Sequence, residues 1–388
     1  MKRRRYDVVV VGARVAGAAT AMLLARHGVR VLAVDRSRYG SDTLSTQAIM
    51  RGGVLQLERW GVMEALRAFG TPAIRKTSFH YGEEEVEVAI KPRDGVDGLY
   101  APRRHLLDKV LVDHAVASGA VVQHGGRLVD IARSASGRVS GVVIEDERRF
   151  RETIDCEMVI GADGARSTVA ELMGAEVYRS GRNATGVVYG YWEGLEIPDN
   201  HWYFRPGVSA GLIPTNGRQT LVFIAVPAKR FMEETRFDLE GGYRAVLEAC
   251  SPTLSEALGR ASLVGRLRGF AGRTGFFRRS AGPGWALVGD AGYFKDPITA
   301  HGMTDALRDA ELVASAVSAD TEDTLRDYER ARDELSVPLF EITDRIASLA
   351  PDVDELKALH LAMSKEMNRE VDALLSRDPV PVVLAAPA

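Results

Sequence analysis

Residues 8 to 35, VVVVGARVAGAATAMLLARHGVRVLAVD, restrict this chain more than any other stretch of its 388 residues. The β-branched run Val8 to Val11 reads as a buried strand, and Gly12 supplies the tight turn after it. From Val15 to Arg26 the residues favour helix; Gly17 lets that helix pack closely on the strand, and Gly28 ends it. A second apolar strand, Val29 to Val34, delivers Asp35 about 20 residues past the turn, where a carboxylate accepts hydrogen bonds from a ribose hydroxyl. Strand, turn, helix, strand and acid in this order form a dinucleotide-binding unit. Its contacts are predicted at Gly12, Ala13, Arg14, Val15, Ala16 and Gly17 in the turn and at Asp35 and Arg36 beyond it. Arg14 stands where glycine ordinarily lets the backbone approach a pyrophosphate. A guanidinium there has anions within reach, so Arg14 is predicted to swing toward the phosphates or the adjoining site. The unit alone does not choose between dinucleotides.

Four further stretches make the choice. MRGGVLQLERWGV (50–62) opens a helix with an arginine and small residues, and YAPRRHLLDKVLVDHA (100–115) sets Arg104, Leu107, Asp108 and Leu111 in helical register. VIGADGARSTVAELMG (159–174) and WALVGDAGYFKDPITAHGMTDALRDAELVASAV (285–317) each read as strand, turn and helix start. In order and spacing the chain resembles the single-component FAD-dependent aromatic hydroxylases, the para-hydroxybenzoate hydroxylase-like family, over nearly its whole length.

The resemblance implies roles residue by residue. The turn from Gly12 to Gly17 and Asp35 would bind the ADP half of FAD, while Arg51 and Arg104 match arginines on the FAD backbone. Asp163 and Gly164 match the family's Asp-Gly motif. Asp290, following Gly289, matches the aspartate that holds the ribityl chain, and Pro297, Gly302 and Met303 match the loop and helix start beside the flavin ring. A helix beginning near Gly302 would aim free N–H groups at the N1–C2=O2 edge of that ring. Gly292 and Thr304 depart from the family pattern, which more often has histidine and asparagine there. The implied activity is a monooxygenase reaction: NAD(P)H reduces FAD, O2 gives a flavin C4a-hydroperoxide, and one oxygen passes to an aromatic or polyketide-like molecule. His301, beside the ring in the alignment, is the candidate base. Flavin-dependent C=C reductases of the geranylgeranyl-reductase type share these motifs. Halogenases do too, but the nearest match to their W-x-W-x-I-P stretch, SAGLIPTNG (209–217), has no tryptophan. A non-enzymatic flavin-binding regulator is the remaining class.

The expected fold is α/β: a Rossmann-like FAD-binding domain (1–75, 101–180 and 275–330) interleaved with a mixed β-sheet substrate domain (76–100 and 181–274). A C-terminal helical segment and tail follow (331–388), with amphipathic spacing at Leu356, Leu359, Leu361 and Met367 and a proline-rich end expected to fray. Strand signals between Thr185 and Pro227 predict a wall over the flavin, with Tyr189, Tyr191, Trp202 and Phe204 lining the substrate. With 50 basic against 53 acidic residues the net charge is −3, which gives no general attraction to nucleic acid or to a membrane surface. Two cysteines, Cys156 and Cys250, provide neither a disulfide framework nor a zinc motif, so no metal is expected and a reducing cytoplasm fits. Only one dinucleotide fingerprint is visible. NAD(P)H must therefore bind transiently, or a separate flavin reductase must supply electrons; a homodimer is compatible with the amphipathic C-terminal helices.

Overall fold

A computed structural model of the chain describes residues 4–195, 197–319 and 322–378; the end of the proline-rich tail lies outside the described residues. Two large sheets organise it. In the first, Arg5–Val11 runs parallel to Val31–Asp35 on one side and to Arg151–Gly161 on the other. Val121–His124 and Trp285–Leu287 extend it, also in parallel. A parallel sheet is covered on both faces, so its strands are apolar on both, and Val8 to Val11 divide accordingly. Val8 and Val10 face the helices Val15–Arg26 and Gly302–Ser318. Val9 and Val11 face the opposite layer, built on Leu128, Ile131, Val142 and Val169. The long strand Arg151–Gly161 does two jobs: its first half pairs antiparallel with Val139–Asp146, and its second half joins the parallel core.

The second sheet has seven strands, in the order Ser262–Phe270, Thr185–Glu193, Thr220–Pro227, Val208–Pro214, Asn200–Arg205, Lys76–Tyr81 and Glu84–Ala89. Every pairing is antiparallel except Asn200–Arg205 with Lys76–Tyr81. Strand alternation sorts its residues. Val188, Trp192, Val222 and Ile224 lie under the helices Leu239–Cys250 and Pro252–Arg260. Tyr189, Tyr191, Trp202, Phe204 and Phe223 face the other way, against Ile298 and Ala300 and against the helices Glu322–Ala347 and Val353–Leu375. The fold is thus the predicted α/β nucleotide-binding layer with a mixed sheet and C-terminal helices. No helix among the described residues is long and apolar enough to cross a membrane.

Candidate functional site

The nucleotide turn is closed by contacts that only glycine permits. Gly12 has φ +102°, and a Cβ there would fall 2.4 Å from the Ala162 carbonyl oxygen; one at Gly17 would fall 1.8 Å from that of Gly12. Asp35 ties the turn to the second strand, accepting from Ala13 N at 2.8 Å and from Ser37 N at 2.7 Å. The helix Val15–Arg26 receives no side-chain cap, which leaves the first-turn amides of Val15, Ala16 and Gly17 for an anion. Arg14 is anchored across the cleft: it donates to Asp108 at 2.9 Å and to the Ser37 and Ser41 hydroxyls at 3.3 Å. Arg104 donates to the same carboxylate at 3.1 and 3.2 Å, so Asp108 holds two guanidiniums. Ala13, Arg14, Asp35, Tyr39, Asp108 and His124 line a shallow cleft at this end, and Arg36 is exposed beside it. The sequence placed Asp108 in a helical register with Arg104 but did not reveal that it positions Arg14.

The other two turns meet this one at the strand ends. Asp163 accepts from the Ser167 hydroxyl at 2.5 Å and from Thr168 N at 2.6 Å, closing the turn that contains Gly164 (φ +82°). Burial pushes its carboxyl above the usual range. Gly289 brings the third turn to within 3.1 Å of Ala16 Cβ and 3.3 Å of Ala306 Cβ, measured from where its own Cβ would stand. Next to it, Asp290 accepts no hydrogen bond from any described residue. Burial first, and then the nearby Asp305 charge, push its carboxyl up to about 6, with Arg104 pulling the other way. A half-enclosed carboxylate without a protein partner suits a ligand hydroxyl. Arg51 does not join the groove: its guanidinium donates to the backbone carbonyls of Lys91 (2.6 Å) and Arg93 (3.4 Å), a loop that the helical register around it could not reveal.

Between the two sheets lies the segment Lys295 to Thr304. Asp296 accepts from Ile298 N at 2.9 Å and from Thr185 N and its hydroxyl, both at 2.7 Å, which fixes the turn at Pro297 to the second sheet. Ala300 takes φ +50°, and the helix Gly302–Ser318 then begins without a side-chain cap. Gly302 is exposed, nothing stands within 4 Å of where its Cβ would be, and Met303 beside it is buried. Free amides and the positive end of a 17-residue helix therefore open into space, as an electron-rich ring edge requires. Thr304 turns back to accept from Met50 N at 3.1 Å.

His301 does not face that space. Its imidazole is 1% exposed and enclosed by Lys295 Nζ and Asp305 at 3.2 Å on Nδ1 and by Glu370 at 3.0 Å on Nε2. Arg308 completes the cluster, at 3.1 Å from Asp305, 2.8 Å from Asp309 and 2.7 Å from Glu370. Burial and Lys295 oppose a charged imidazole, but Glu370 and Asp305 overcome them and raise its pKa. The expectation of a base at His301 meets a fully buried ring wedged between Asp305 and Glu370, with no exposed face for a substrate. The partner Glu370 comes from a helix far along the chain, beyond the reach of any local motif.

On the opposite side, Tyr189, Tyr191, Trp202 and Phe204 are all buried in one apolar layer. Gln47, a non-glycine residue at φ +50°, is set into this wall. It accepts from the Tyr191 hydroxyl at 2.8 Å and donates to the Thr215 hydroxyl at 2.8 Å, while Tyr189 accepts from Ser45 N at 3.2 Å. Arg103 lies 3.5 Å over the Tyr191 ring and also reaches Asp42, which Arg268 shares. Neither Gln47 nor Arg103 stood out in the sequence. Three glycine-dependent turns, uncapped helix starts, an Asp290 without a hydrogen-bond partner among the described residues and an apolar aromatic wall fit FAD laid across the strand ends.

Known proteins share the family and the fold. Residues 5–336 match the sequence profile of the family described as FAD binding domain. A menaquinone reductase of Mycolicibacterium smegmatis is 28% identical, over 81% of this chain and 77% of that protein. Squalene epoxidase erg1 of Schizosaccharomyces pombe is 24% identical over 87% and 74%. Among solved structures, the flavin-dependent brominase Bmp2 superposes with a TM-score of 0.75 at 17% identity, covering 96% of this chain and 98% of that one. PqsL of P. aeruginosa in complex with 2-aminobenzoylacetate gives 0.69 at 19%, covering 96% and 100%. At such identities the two structures speak for the fold.

Proposed function

The chain belongs to the FAD binding domain family, and from that premise we propose that it is a FAD-dependent monooxygenase acting on an apolar, aromatic or polyketide-like small molecule. One observation carries the reading: the wall packed against Ile298 and Ala300 is aromatic and buried, with Gln47 pairing to the Tyr191 and Thr215 hydroxyls. Bound FAD would supply the redox chemistry, taking a hydride from NAD(P)H and passing on one oxygen atom of O2. The chain's own part is to bind, orient and exclude water. Gly12 to Gly17 and Arg104 receive the phosphates, Asp35 the ribose and Asp290 the ribityl hydroxyls. Met303 and the amides after Gly302 hold the ring edge, and negative charge on the reduced ring is stabilised by the helix dipole. Tyr189, Tyr191, Trp202 and Phe204 set the shape of the substrate space, and a dry space favours oxygen transfer over release of peroxide.

A second reading, reduction of a C=C bond, is favoured by the menaquinone reductase relative and by the digeranylgeranylglycerophospholipid reductase 2 of Methanopyrus kandleri, which is 27% identical over 91% of its own length. Both readings use the same FAD site. The purified holoprotein, supplied with NADH or NADPH and a panel of phenols and quinones, separates them. A monooxygenase consumes O2 with reductant and gives a product heavier by one oxygen; a reductase gives a product heavier by two hydrogens with no O2 uptake. Failure of both nicotinamides, repaired by adding a flavin reductase, would show that electrons arrive from a separate protein.

A further inference from the structure

Away from the FAD groove, on the opposite face of the second sheet, two histidines and a glutamate converge. His80 lies on Lys76–Tyr81, where its cross-strand neighbours are Glu85 on the outer strand and Tyr203 on the inner one. Alternation puts all three on one face, and His201, two residues before Tyr203, on the same face. His80 Nε2 stands 3.1 Å from His201 Nδ1 and 3.8 Å from Glu85 Oε1. These ligand atoms all lie within 4.8 Å of one another. Tyr203 stacks on the His80 ring at 4.1 Å and 5°, which fixes the direction of its nitrogen.

We propose that His80, His201 and Glu85 form a binding site for a divalent transition metal of the zinc class, with a fourth position open to water. In a tetrahedral zinc site with Zn–N of about 2.0–2.1 Å, adjacent ligand atoms lie about 3.3 Å apart, so the two imidazoles need to part by only a few tenths of an ångström. Glu85 is half-exposed and free to close the remaining distance. The surrounding cations are matched: Lys76 pairs with Glu87, and Arg205 lies 3.9 Å from Glu83. The other histidine–carboxylate group, His301 with Asp305 and Glu370, differs here, because Lys295 and Arg308 already fill it with positive charge. A metal at the first site would clamp the exposed strand Glu84–Ala89 to the body of the sheet.

The test uses untagged, FAD-loaded protein stripped with a chelator and titrated with ZnCl2 by calorimetry, with melting followed in parallel. The expected result is one saturable site per chain and a melting temperature that rises with zinc. Affinity should fall roughly 100-fold in His201→Ala and fall as well in Glu85→Gln, a change on an exposed side chain that leaves folding intact. Flavin absorbance reports whether each variant retains the fold, and anomalous scattering at the zinc edge locates the ion. Absence of saturable binding at about 100 μM zinc, or binding unaltered in both Glu85→Gln and the His80→Ala/His201→Ala double variant, overturns the assignment.

Discussion

The segment Pro297 to Gly302 has charges behind it and aromatic rings in front. Behind lie Lys295, His301, Asp305, Arg308, Asp309 and Glu370, all buried and linked to one another. In front lie Tyr189, Tyr191, Trp202, Phe204 and Phe223, joined by contact alone except where Tyr191 donates to Gln47 and Tyr189 accepts from Ser45 N. Directional interactions lock one geometry, whereas apolar contact tolerates changes of shape. The charged side therefore sets where the helix Gly302–Ser318 begins, whereas the aromatic side tolerates changes of shape.

The harshest way to break this contrast is Arg308→Ala. It leaves Asp305, Asp309 and Glu370 buried without their shared cation, and the expected loss is about 3–5 kcal/mol of unfolding free energy, read from denaturant titration. A loss as small as that of an average core truncation would mean that the cluster does not lock the segment.

Asp290→Ala comes next. It should weaken FAD by roughly 1–3 kcal/mol for each ribityl donor left without its acceptor, measured by flavin fluorescence. The wild type offers the same test through pH. With the carboxyl at about 6 in the fold, FAD affinity should decline as pH falls through 6, because the protonated acid is the poorer acceptor. In the apoprotein the sign is reversed for stability. The folded form keeps a proton that the unfolded chain releases near its ordinary 3.8, so the Asp290 contribution falls as pH rises between about 4 and 6. An FAD affinity that is flat across pH 6 would remove Asp290 from the ribityl chain.

On the aromatic side, Tyr191→Phe deletes one hydroxyl and leaves the Gln47 oxygen unpaired in the wall. A cost of about 1–2 kcal/mol in stability is expected, with FAD affinity unchanged. A large change in FAD affinity instead would show that the wall, too, sets the cofactor.

The smallest effect belongs to Arg14→Gly. The variant restores the usual turn but removes one of the two guanidiniums on Asp108, leaving Arg104 alone to neutralise it beside the phosphates, so FAD should bind about 3- to 10-fold more weakly, with the difference shrinking at high salt. Tighter binding would show that neither Arg14 nor its pairing with Asp108 supports the phosphates.

The parts of the site that could be read from the sequence are those built from neighbours along the chain. Gly12, Gly17 and Asp35 act within one strand–turn–helix–strand unit, and the contacts that exclude a Cβ at both glycines are local to that unit and the strand beside it. His301 shows the limit. Its neighbours in sequence place it at a helix start, but its orientation is decided by Glu370, and Arg308 reaches that same residue across 62 positions. Arg51 turned toward Lys91 for the same reason, since a carbonyl on a distant loop leaves no periodic trace. Gln47 is harder still, because its left-handed backbone is one that glutamine rarely adopts and nothing in the surrounding composition announces it.

Glu370 is a single carboxylate supplied by the helix Val353–Leu375 to a charged cluster otherwise made by residues 295 to 309. Loss of that acid leaves both an imidazole and a guanidinium short of a counter-ion, so positions 301, 308 and 370 form a unit of heredity. In descendants of this chain they should be exchanged together or kept together. The outward residues of the same helix, such as Leu361 at 68% exposure, are free to drift.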